Sequence, residues 1–511
     1  MRKAPDETIT IQREHGSYAF ASLAVPRGIA LCLLVLVLAG CGLSPNYVRP
    51  ELDFPAEYAK AGEYGGSESS PASSAENRVW WQSFSSQALP VLQEMALRNN
   101  HAFQANRWAL AQSLSRARAA RASLFPTISV GASTGRSGRA SRGSYQVSET
   151  FGGTVQAGYE VDIWGKNLES VTAQDLRTLA DVYVWRGAGL TLESEVALTY
   201  FSYLAARENL AVYDATLANA REVLSYQEKR ERLGATTPLD LARQRSSVHN
   251  MEAGRISYLV RMTESKNSIC QLLGVLEMPD DLAALMDKEA LRDILPPPVV
   301  AGLPSDLLFR RPDVAQAEAR LQAANADIGI ARAAFLPGIN LTASTGWQSD
   351  SLSNLINPVN ALYSLGASLA QPIFQGGRLL EQYRQTLAAH EELMERYRET
   401  TLGAFLDVST ALEANMLLDR QETERVLFAE QASEAYRIAR LRYEGGAEDF
   451  LSVLDAQTTM LNADNQLVQT RLERLNTVVA LFKALGGGWG DVNEADVYGK
   501  DDALAQAKDA E

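Results

Sequence analysis

The sequence predicts an α+β membrane protein made of two tandem repeats, each with one β-hairpin and long coiled-coil helices. Internal similarity is the first observation, because residues 119–126 resemble residues 330–337 at an offset of 211. The second is the alternation of apolar and polar residues directly after each of these segments, which indicates half-buried strands. The third is the lack of proline between Pro126 and Pro238 and after Pro372, which permits very long helices.

The N-terminal segment indicates a targeting signal. Residues 28–38 form an uncharged apolar run of eleven, which is too short to span a membrane as a helix. The run ends in a Leu-Ala-Gly-Cys sequence at 38–41 that resembles a bacterial lipobox. This resemblance implies cleavage before Cys41 and acylation of its thiol; a chance cysteine in an ordinary signal peptide is the alternative. We therefore predict a lipoprotein signal peptide over 1–40 and a lipidated, extended tether over 41–78.

Composition and charge exclude several classes of protein. The chain carries 48 Lys and Arg against 62 Asp and Glu, a net charge of −14, which argues against a nucleic-acid partner. Once the signal is removed and Cys41 is acylated, only Cys270 remains as a free thiol, so no internal disulfide is expected. The remaining histidines, His101, His249 and His390, lack metal-ligand spacing. Neither an enzyme nor a cofactor site is predicted.

Each repeat contains two alternating runs that predict a β-hairpin. The hairpins are predicted over 127–164 and 338–374. Their connecting segments, 135–148 and 348–360, are rich in Gly, Ser and Asn and are expected to be loops. The predicted segments after the tether are the first repeat, 79–290, a proline-rich linker, 291–303, the second repeat, 304–489, and an acidic, disordered tail, 490–511.

Long helices are predicted after each hairpin, over 167–233 and 378–443. At 1.5 Å per residue, about 66 residues reach on the order of 100 Å, far beyond a globular helix. In the second helix one row of side chains recurs every three and four residues, as in a coiled-coil seam, and another row lies beside it. Two seams indicate neighbours on both sides, as in a wall of helices. The first row is Met394, Tyr397, Thr401, Ala404, Val408, Ala411, Asn415 and Leu418; the second is Leu402, Phe405, Ser409, Leu412 and Met416.

The strands predict an oligomer. Aromatic residues near their ends, Trp164, Trp347, Tyr363 and Phe374, are typical of a membrane barrel. Four strands are too few to close such a barrel, and open sheet edges are not tolerated in lipid. Three copies would supply twelve strands, with the long helices projecting into the periplasm. An ordinary soluble antiparallel sheet is the alternative.

The chain also carries an ordered set of short motifs. They are YVRP at 47–50, WWQSF at 80–84, LFP at 124–126, FRRPDV at 309–314, AANADIGIAR at 323–332, PIFQGG at 372–377, LDAQ at 454–457 and ALGGGW at 484–489. No single motif is specific. The ordered set resembles the TolC-like outer-membrane factor family of tripartite efflux and secretion systems, in its NodT-type lipoprotein branch, and the resemblance runs through nearly all of the mature chain.

This resemblance implies a homotrimeric channel: a twelve-stranded β-barrel in the outer membrane that continues into a twelve-helix periplasmic α-barrel, without a cofactor. The implied partners are outer-membrane lipid, a periplasmic adaptor (membrane fusion protein) and an inner-membrane exporter, expected to be of the proton-driven RND type. The implied function is a passive conduit that exports small toxic molecules or drugs. A type I secretion conduit for polypeptides and a non-conducting structural envelope lipoprotein are the alternatives. Four strand signals per chain disfavour a self-contained porin.

The resemblance further implies a periplasmic gate at Leu451 and Asp455. These residues are four apart, so they share one helix face and would form two stacked rings in an oligomer. A ring of carboxylates attracts cations, and an apolar ring resists wetting. Without the resemblance, Asp455 would be a solvated surface charge. Ser452 and Thr458 stand where many relatives carry a second Asp or a nearby Arg, so the charge of the ring differs here.

A latch and a docking surface are implied in the same way. Asp240 matches a position that ties neighbouring helices together in closed relatives, and Tyr443 is its expected partner through a hydroxyl hydrogen bond. Glycine-containing turns interrupt both long helices and would lie at the periplasmic tip, where the resemblance implies docking of adaptor hairpins. Plain helix-hairpin turns are the alternative. The tip residues are Leu233, Gly234, Ala235, Glu444, Gly445 and Gly446.

Overall fold

The structure, a computed structural model, describes residues 43–50, 76–141, 144–297 and 311–487. The predicted signal peptide, Cys41 and the predicted tail over 490–511 lie outside the described residues, as do most of the tether and residues 298–303 of the linker.

Within the described ranges the chain forms eight α-helices and four strands. The helices are α1 (Ala88–Asn99), α2 (His101–Arg121), α3 (Lys166–Arg232), α4 (Pro238–Leu272), α5 (Asp280–Met286), α6 (Pro312–Ala333), α7 (Arg378–Glu444) and α8 (Phe450–Ala484). The strands are β1 (Thr127–Ser141), β2 (Ser144–Val161), β3 (Gly338–Ser349) and β4 (Ala361–Ala370). Helices α3 and α7 each contain 67 residues, and α4 and α8 each contain 35. The internal repeat of the sequence is therefore also a repeat of structure.

The strands form one antiparallel sheet in the order β1-β2-β3-β4, so β1 and β4 are its edges among the described residues. The register aligns the apolar positions of all four strands. One such row is Ile128, Ala157, Ala343 and Leu365, and the adjacent polar row is Ser129, Gln156, Ser344 and Ser364. Because side chains alternate across a sheet, one face is apolar and the other polar. The apolar face is uncovered within the chain, since Ile128 is 73% exposed and Leu365 is 78% exposed.

The first hairpin is longer than the sequence predicts. The expectation of a loop over 135–148 is wrong, because β1 continues to Ser141 and β2 begins at Ser144. Glycine and serine have low strand propensity, but a ladder that is already paired can continue through them. Across this extension, Arg136 Nε lies 3.5 Å from Glu149 Oε1.

The second hairpin is shorter. Strand β3 ends at Ser349 and β4 begins at Ala361, which confirms the predicted loop over 348–360 except at its first two residues. Strand β3 pairs with β2 only along 151–161, so residues 144–150 of β2 pair with β1 alone. The first hairpin therefore extends beyond the rest of the sheet.

The long helices pack side by side as a wall one helix thick. Helix α3 packs on α2 and α6 along its N-terminal half and on α4 and α8 along its C-terminal half, and α7 packs on α6 and then on α8. The order is therefore α2-α3-α6-α7 near the sheet and α4-α3-α8-α7 farther from it. In the part of the chain that the structure describes, no helix combines the length and apolar character needed to cross a membrane.

One of the two predicted seams on α7 is filled within the chain. Tyr397, Thr401, Ala404, Val408 and Ala411 of the first row are all buried. The second row is covered only in part, because Leu402 is 53% exposed whereas Leu412 is buried. Helix α7 stands at the edge of the wall, so its second row has too few neighbours within one chain.

The largest core cluster lies where α1, α3 and α8 meet the 3-10 helix Glu76–Ser83. Trp80 and Tyr200 are fully buried. The Trp80 ring stacks on Phe482 with 5.4 Å between ring centroids, and the Tyr200 hydroxyl donates to Glu289 Oε2 at 2.7 Å. This cluster therefore packs the start of the first repeat, at Trp80, against the end of the second, at Phe482.

Glu193 makes the stability of this core depend on pH. The Trp80 indole N–H donates to Glu193 Oε2 at 3.3 Å, and burial raises the pKa of Glu193 from 4.5 to about 8. Because the folded chain binds this proton more tightly than the unfolded chain, the free energy of unfolding falls as pH rises from about 4.5 through about 8. We expect Glu193→Gln to raise the thermal unfolding midpoint clearly at about pH 8 and much less at about pH 5, measured by scanning fluorimetry in detergent.

The matched control is Glu195→Gln, which removes an exposed carboxylate two residues away. Equal gains from the two substitutions, or a gain from Glu193→Gln that does not grow with pH, would contradict the assignment.

Candidate functional site at the helix tips

Both helix hairpins turn through the same arrangement of hydrogen bonds. After α3, the amides of Gly234 and Ala235 donate to the carbonyls of Glu231 and Arg230 at 2.9 and 2.8 Å. After α7, the amide of Gly446 donates to a carbonyl three residues earlier at 3.0 Å. This arrangement, a Schellman motif, requires positive φ at its glycine. The φ angles of Gly234 and Gly446 are 72° and 75°, so glycine is needed at both tips.

The predicted tip residues are all exposed in the chain. Leu233 is 82% exposed, which leaves an apolar side chain at the end of the first hairpin. The described residues contain no cluster of three or more His, Cys, Asp or Glu side chains arranged to hold a metal ion. The tips can therefore interact with another molecule through charged groups, hydrogen bonds and exposed apolar side chains.

The two return helices correspond residue by residue. Helix α4 begins at Pro238 and α8 at Phe450, and both have the same length, so the repeats are offset by 212 here. Leu239 of α4 therefore corresponds to Leu451 of α8, and the two side chains are 58% and 53% exposed. By the same offset, Arg243 corresponds to Asp455.

Leu451 and Asp455 lie one turn apart on the exposed side of α8. The Asp455 carboxylate is exposed and has no hydrogen bond or ion pair to any residue that the structure describes. Helix α8 has α3 on one side and α7 on the other. The exposed side of α8 therefore belongs to a face of the helical wall and not to its edge.

Two charged residues that the sequence analysis did not single out hold the start of α8. Asp449 is its N-cap and accepts the amide N–H of Ser452 at 2.8 Å. Hydrogen bonds from Ser452, and the charge of Arg243, lower the pKa of Asp449. Arg243 also lies 3.8 Å from the Asp240 carboxylate, so it is near acidic residues of both return helices. Arg243 could have been identified from the sequence, because the internal repeat aligns it with Asp455.

Asp240 and Tyr443 have different partners in this chain. The Thr237 hydroxyl donates to Asp240 Oδ2 at 2.7 Å, which engages the carboxylate at the start of its own helix. Tyr443 is 8% exposed, and its hydroxyl accepts a hydrogen bond from Gln227 Nε2 at 2.7 Å. The hydrogen bond expected between Asp240 and Tyr443 is therefore not formed within the chain.

Tyr443 instead connects α7 to α3. The Arg230 guanidinium lies 5.2 Å from the centroid of the Tyr443 ring, a cation–π distance. Nearby, Arg440 Nη2 donates to Glu222 Oε2 at 3.0 Å. These contacts, with that of Gln227, fasten the last turns of the two long helices. Gln227 was not predicted from the sequence, because the sequence does not show whether a glutamine side chain is buried or exposed.

A second connection lies farther from the tips. Glu422 of α7 accepts hydrogen bonds from Arg471 Nε at 3.0 Å and Arg474 Nη1 at 2.8 Å, both on α8. Arg471 also lies 3.8 Å from Glu208 of α3. The side chains of Glu422 and Glu208 are only 19% and 13% exposed, so solvent screens these charges less than surface pairs. The helices that carry the predicted gate and latch are thus tied together at more than one level.

Comparison with known proteins identifies the family. The outer membrane efflux protein family matches residues 92–275 and 303–487. These two segments include all four strands and both helix tips. The chain belongs to the outer membrane efflux protein family.

Proteins similar to this outer membrane efflux protein are named as outer membrane proteins of export or efflux systems. It is 35% identical over 480 residues to the pyoverdine export outer membrane protein OpmQ of Pseudomonas putida, covering 91% of this chain and 98% of the relative. It is 31% identical over 467 residues to the toluene efflux pump outer membrane protein TtgC of Pseudomonas putida, covering 90% and 95%. The crystal structure of the open state of the Neisseria gonorrhoeae MtrE outer membrane channel has a TM-score of 0.78 and 26% identity, covering 88% of this chain and 98% of that one.

The predicted family, location and general function are confirmed. The efflux protein resides in the outer membrane, has the α+β fold of TolC-like outer-membrane channels and serves as the outer-membrane channel of an efflux system. Its relatives imply that it works together with partner proteins. The family is one of conduits, which points to a non-enzymatic role.

Removal of the Tyr443 hydroxyl is expected to loosen the tips. Tyr443→Phe leaves the fully buried Gln227 amide without its acceptor, at a cost of about 1–3 kcal/mol. We expect faster amide hydrogen exchange in the last turns of α3 and α7, measured by mass spectrometry. Tyr436→Phe is the matched control, because its hydroxyl lies farther, 3.4 Å, from Gln457 Nε2. If both variants accelerate exchange equally, the Tyr443 connection has no special role.

Proposed function

We propose that three copies of this efflux protein close into a passive channel that exports small toxic molecules from the periplasm to the exterior. The observation that carries the proposal is the four-stranded sheet, which has one apolar face, one polar face and edges at β1 and β4. An open edge in lipid leaves backbone N–H and C=O groups without partners. Pairing β4 of one copy with β1 of the next satisfies both edges and places the polar face inside.

The height of the apolar face supports this arrangement. The apolar side of β2 runs from Val161 to Phe151. This span is about 33 Å along the strand, or roughly 25 Å across a membrane at the usual barrel tilt, which matches the apolar band of membrane barrels. On the same face, the Arg136–Glu149 pair lies beyond this band. Three copies then form a barrel of twelve strands around a polar lumen.

The edges of the helical wall support the same closure. Helix α7 exposes Leu402, Leu406 and Leu417, each more than half exposed, and α4 exposes Ile256 and Val260 at 59% and 50%. Contact between α7 of one copy and α4 of the next would bury these side chains, which is favourable at about 25 cal/mol per Å² of apolar surface. Four helices per copy at each level then give a twelve-helix barrel.

Leu451 and Asp455 are proposed as the periplasmic gate of this barrel. Their place on the free face of α8 supports the proposal, because that face borders either the lumen or the periplasm. Facing the lumen, three Leu451 side chains form an apolar ring and three Asp455 carboxylates form an anionic ring. The contacts of Tyr443 with Gln227 and Arg230 are proposed to hold the closed state.

The tips and the N-terminus supply the remaining proposed contacts. The exposed residues 233–235 and 444–446 are proposed to dock the hairpins of a periplasmic adaptor, with Leu233 as an apolar anchor. Cys41 is proposed to carry acyl chains that hold the protein on the outer membrane. An inner-membrane exporter of the proton-driven RND type is proposed to load the channel. Relatives named for pyoverdine export and toluene efflux support small-molecule cargo.

The partners are tested by crosslinking of the tagged full-length protein in cells, followed by mass spectrometry. Capture of an adaptor together with a proton-driven exporter is the expected result. Capture of an ATP-driven exporter would replace the proposal with a secretion conduit for polypeptides. Capture of neither would contradict the tripartite assembly.

The anionic ring is tested by channel recordings in planar bilayers. We expect a small, cation-preferring conductance, and Asp455→Ala to lose most of that preference or to raise the conductance, because the carboxylates that attract cations at the narrow point are removed. The reversal potential in a salt gradient reports the preference.

Glu277→Ala is the matched control, because it removes an exposed carboxylate beyond the far end of α4. Selectivity that stays unchanged in Asp455→Ala, or changes as much in Glu277→Ala, would exclude Asp455 from the gate.

A further inference from the structure

The junction between α2 and α4 contains a cavity. It has a volume of about 600 Å³ and lies between the start of α2, the middle of α3 and the end of α4. Among the described residues its lining includes one carboxylate, that of Glu195, and no Lys or Arg side chain. The other lining residues that face this carboxylate across the junction or lie beside it include Asn100, Ala102, Phe103, Leu192 and Leu272.

In the second repeat an arginine fills the corresponding junction. Arg311 lies directly before α6, and its Nη2 donates to Asp313 Oδ2 at 2.8 Å and to Asp407 Oδ2 at 3.0 Å. Its Nη1 donates to the carbonyl of Ala484, at the end of α8, at 3.1 Å. The Arg311 side chain is only 11% exposed. A guanidinium held by two carboxylates therefore occupies the junction between α6 and α8.

The internal repeat aligns the two junctions residue by residue. Helices α2 and α6 begin at His101 and Pro312, an offset of 211, whereas α3 and α7, like α4 and α8, are offset by 212. At these offsets Arg311 and the residues that it contacts correspond to residues that line the cavity. The pairs are Arg311 and Asn100, Asp313 and Ala102, Ala404 and Leu192, Asp407 and Glu195, and Ala484 and Leu272. One contact is preserved, since Asn100 Nδ2 donates to the carbonyl of Leu272 at 2.9 Å.

The first repeat keeps an acidic group and lacks the guanidinium. Asn100 is shorter than arginine, and its side-chain amide is engaged by two backbone groups. The Glu195 carboxylate is exposed and has no hydrogen bond or ion pair to any residue that the structure describes. Ala102 stands in the place of Asp313, so one carboxylate remains where the second repeat has two. The cavity is therefore complementary to a cationic group and holds it less tightly than the second repeat holds Arg311.

The rest of the lining is partly apolar. The Phe103 ring lines the cavity and stacks on Trp185 with 5.7 Å between ring centroids. Ala102 and Leu192 add aliphatic surface. An organic cation suits such a lining, because its charge pairs with the carboxylate and its apolar part contacts the ring and the aliphatic groups. The lining therefore favours an organic cation over a small hydrated metal ion.

The cavity and the proposed gate lie on the same face of the helical wall. Glu193 of α3 contacts Trp80 in the core beneath α1, and Glu195, two residues later, is rotated by about 200° around the helix. On α8 the same rotation separates Leu475, buried in this core, from the exposed Glu473. A row of exposed residues continues from Glu473 at intervals of three and four. Its members are Glu473, Gln469, Gln466, Asn462, Thr458 and Asp455.

Size determines which face of the wall turns inward in the proposed barrel. At about 10 Å between neighbouring axes, a ring of twelve helices is about 38 Å across, and helices about 10 Å thick leave a bore of roughly 28 Å. The face opposite the cavity carries α1, α5 and the 3-10 helix Glu76–Ser83. Three copies of these elements would fill such a bore. The proposed barrel therefore has them outside and Glu195 toward the lumen.

We propose that this cavity is a binding site for organic cations on the inner surface of the channel, in which Glu195 pairs with a guanidinium or ammonium group of the exported molecule. Arg311 shows, within the same chain, how such a junction holds a guanidinium. A single exposed carboxylate binds weakly, and weak sites allow a molecule to leave again toward the exterior. The role in export rests on the proposed channel, whereas binding in the cavity does not.

Binding is tested by fluorine NMR of para-fluorophenylguanidine with the purified full-length protein in detergent. We expect saturable broadening of the fluorine signal, with an apparent affinity that falls about fivefold in Glu195→Gln, because one partly exposed charge pair is lost. Para-fluorophenylurea, which has nearly the same shape and no charge, is expected not to bind measurably. Equal binding of the urea, or unchanged binding in Glu195→Gln, would overturn the site.

Two further variants separate the cavity from unrelated changes. Asn100→Arg gives the first repeat the residue of the second, so its own guanidinium is expected to pair with Glu195 and exclude the probe. Glu264→Gln removes an exposed carboxylate of α4 outside the lining and is expected to leave binding unchanged. Full binding by a folded Asn100→Arg protein would count against the assignment, as would equal losses in Glu264→Gln and Glu195→Gln. If Asn100→Arg does not fold, the Glu195→Gln comparison decides.

The luminal position is tested by adding para-fluorophenylguanidine to channels in planar bilayers. We expect the cation to lower the single-channel current, at a midpoint concentration about fivefold higher in Glu195→Gln, because the bound cation occupies part of the passage. Binding in the NMR measurement without any change of current would overturn the luminal position and leave the cavity site. Absence of any current, with binding intact, would instead overturn the proposed channel.

Discussion

Backbone hydrogen bonding in lipid is the constraint on which the rest of this structure depends. Each chain supplies four strands in one antiparallel sheet, and the outer edges of β1 and β4 have no partner among the described residues. Water can satisfy such edges in a soluble protein, but lipid cannot. This constraint is the basis of the proposed pairing with further copies of the chain, in which the apolar face turns toward lipid and the polar face toward the lumen.

The long helices form a single layer, as the strands do. Because the strands run in a single layer, the helices that follow them also form a single layer, in which inner members have two neighbours and edge members have one. A wall of this kind has two free faces, and Leu451 and Asp455 lie on one of them. Contacts of Tyr443 near the tips and of Glu422 farther from them connect α3, α7 and α8 at two levels.

Much of the fold is predictable because its signals are local and periodic. The alternation of Ile128 and Ser129 correctly assigns opposite faces of the sheet, and the middle of the predicted seam, from Tyr397 to Ala411, is buried as a coiled-coil seam requires. Internal similarity predicts two repeats, and the equal lengths of their helices agree with it. The one clear error, the loop expected over 135–148, came from composition, since glycine and serine reduce strand propensity without preventing pairing to an existing strand.

Partners across long sequence distances were less predictable. The Tyr443 hydroxyl binds Gln227 and not the predicted Asp240, whose carboxylate is engaged by Thr237. The sequence by itself determined the periodic elements and the two turns that require glycine, because each depends on residues that are neighbours in the chain. Only the tertiary structure decided which buried polar groups pair and that residues 43–50 lie along α6, where Ser44 comes too close to Gly329 for any side chain there. Those features depend on the approach of segments that are hundreds of residues apart, and residue type alone does not specify which of many chemically equivalent partners comes within hydrogen-bond distance.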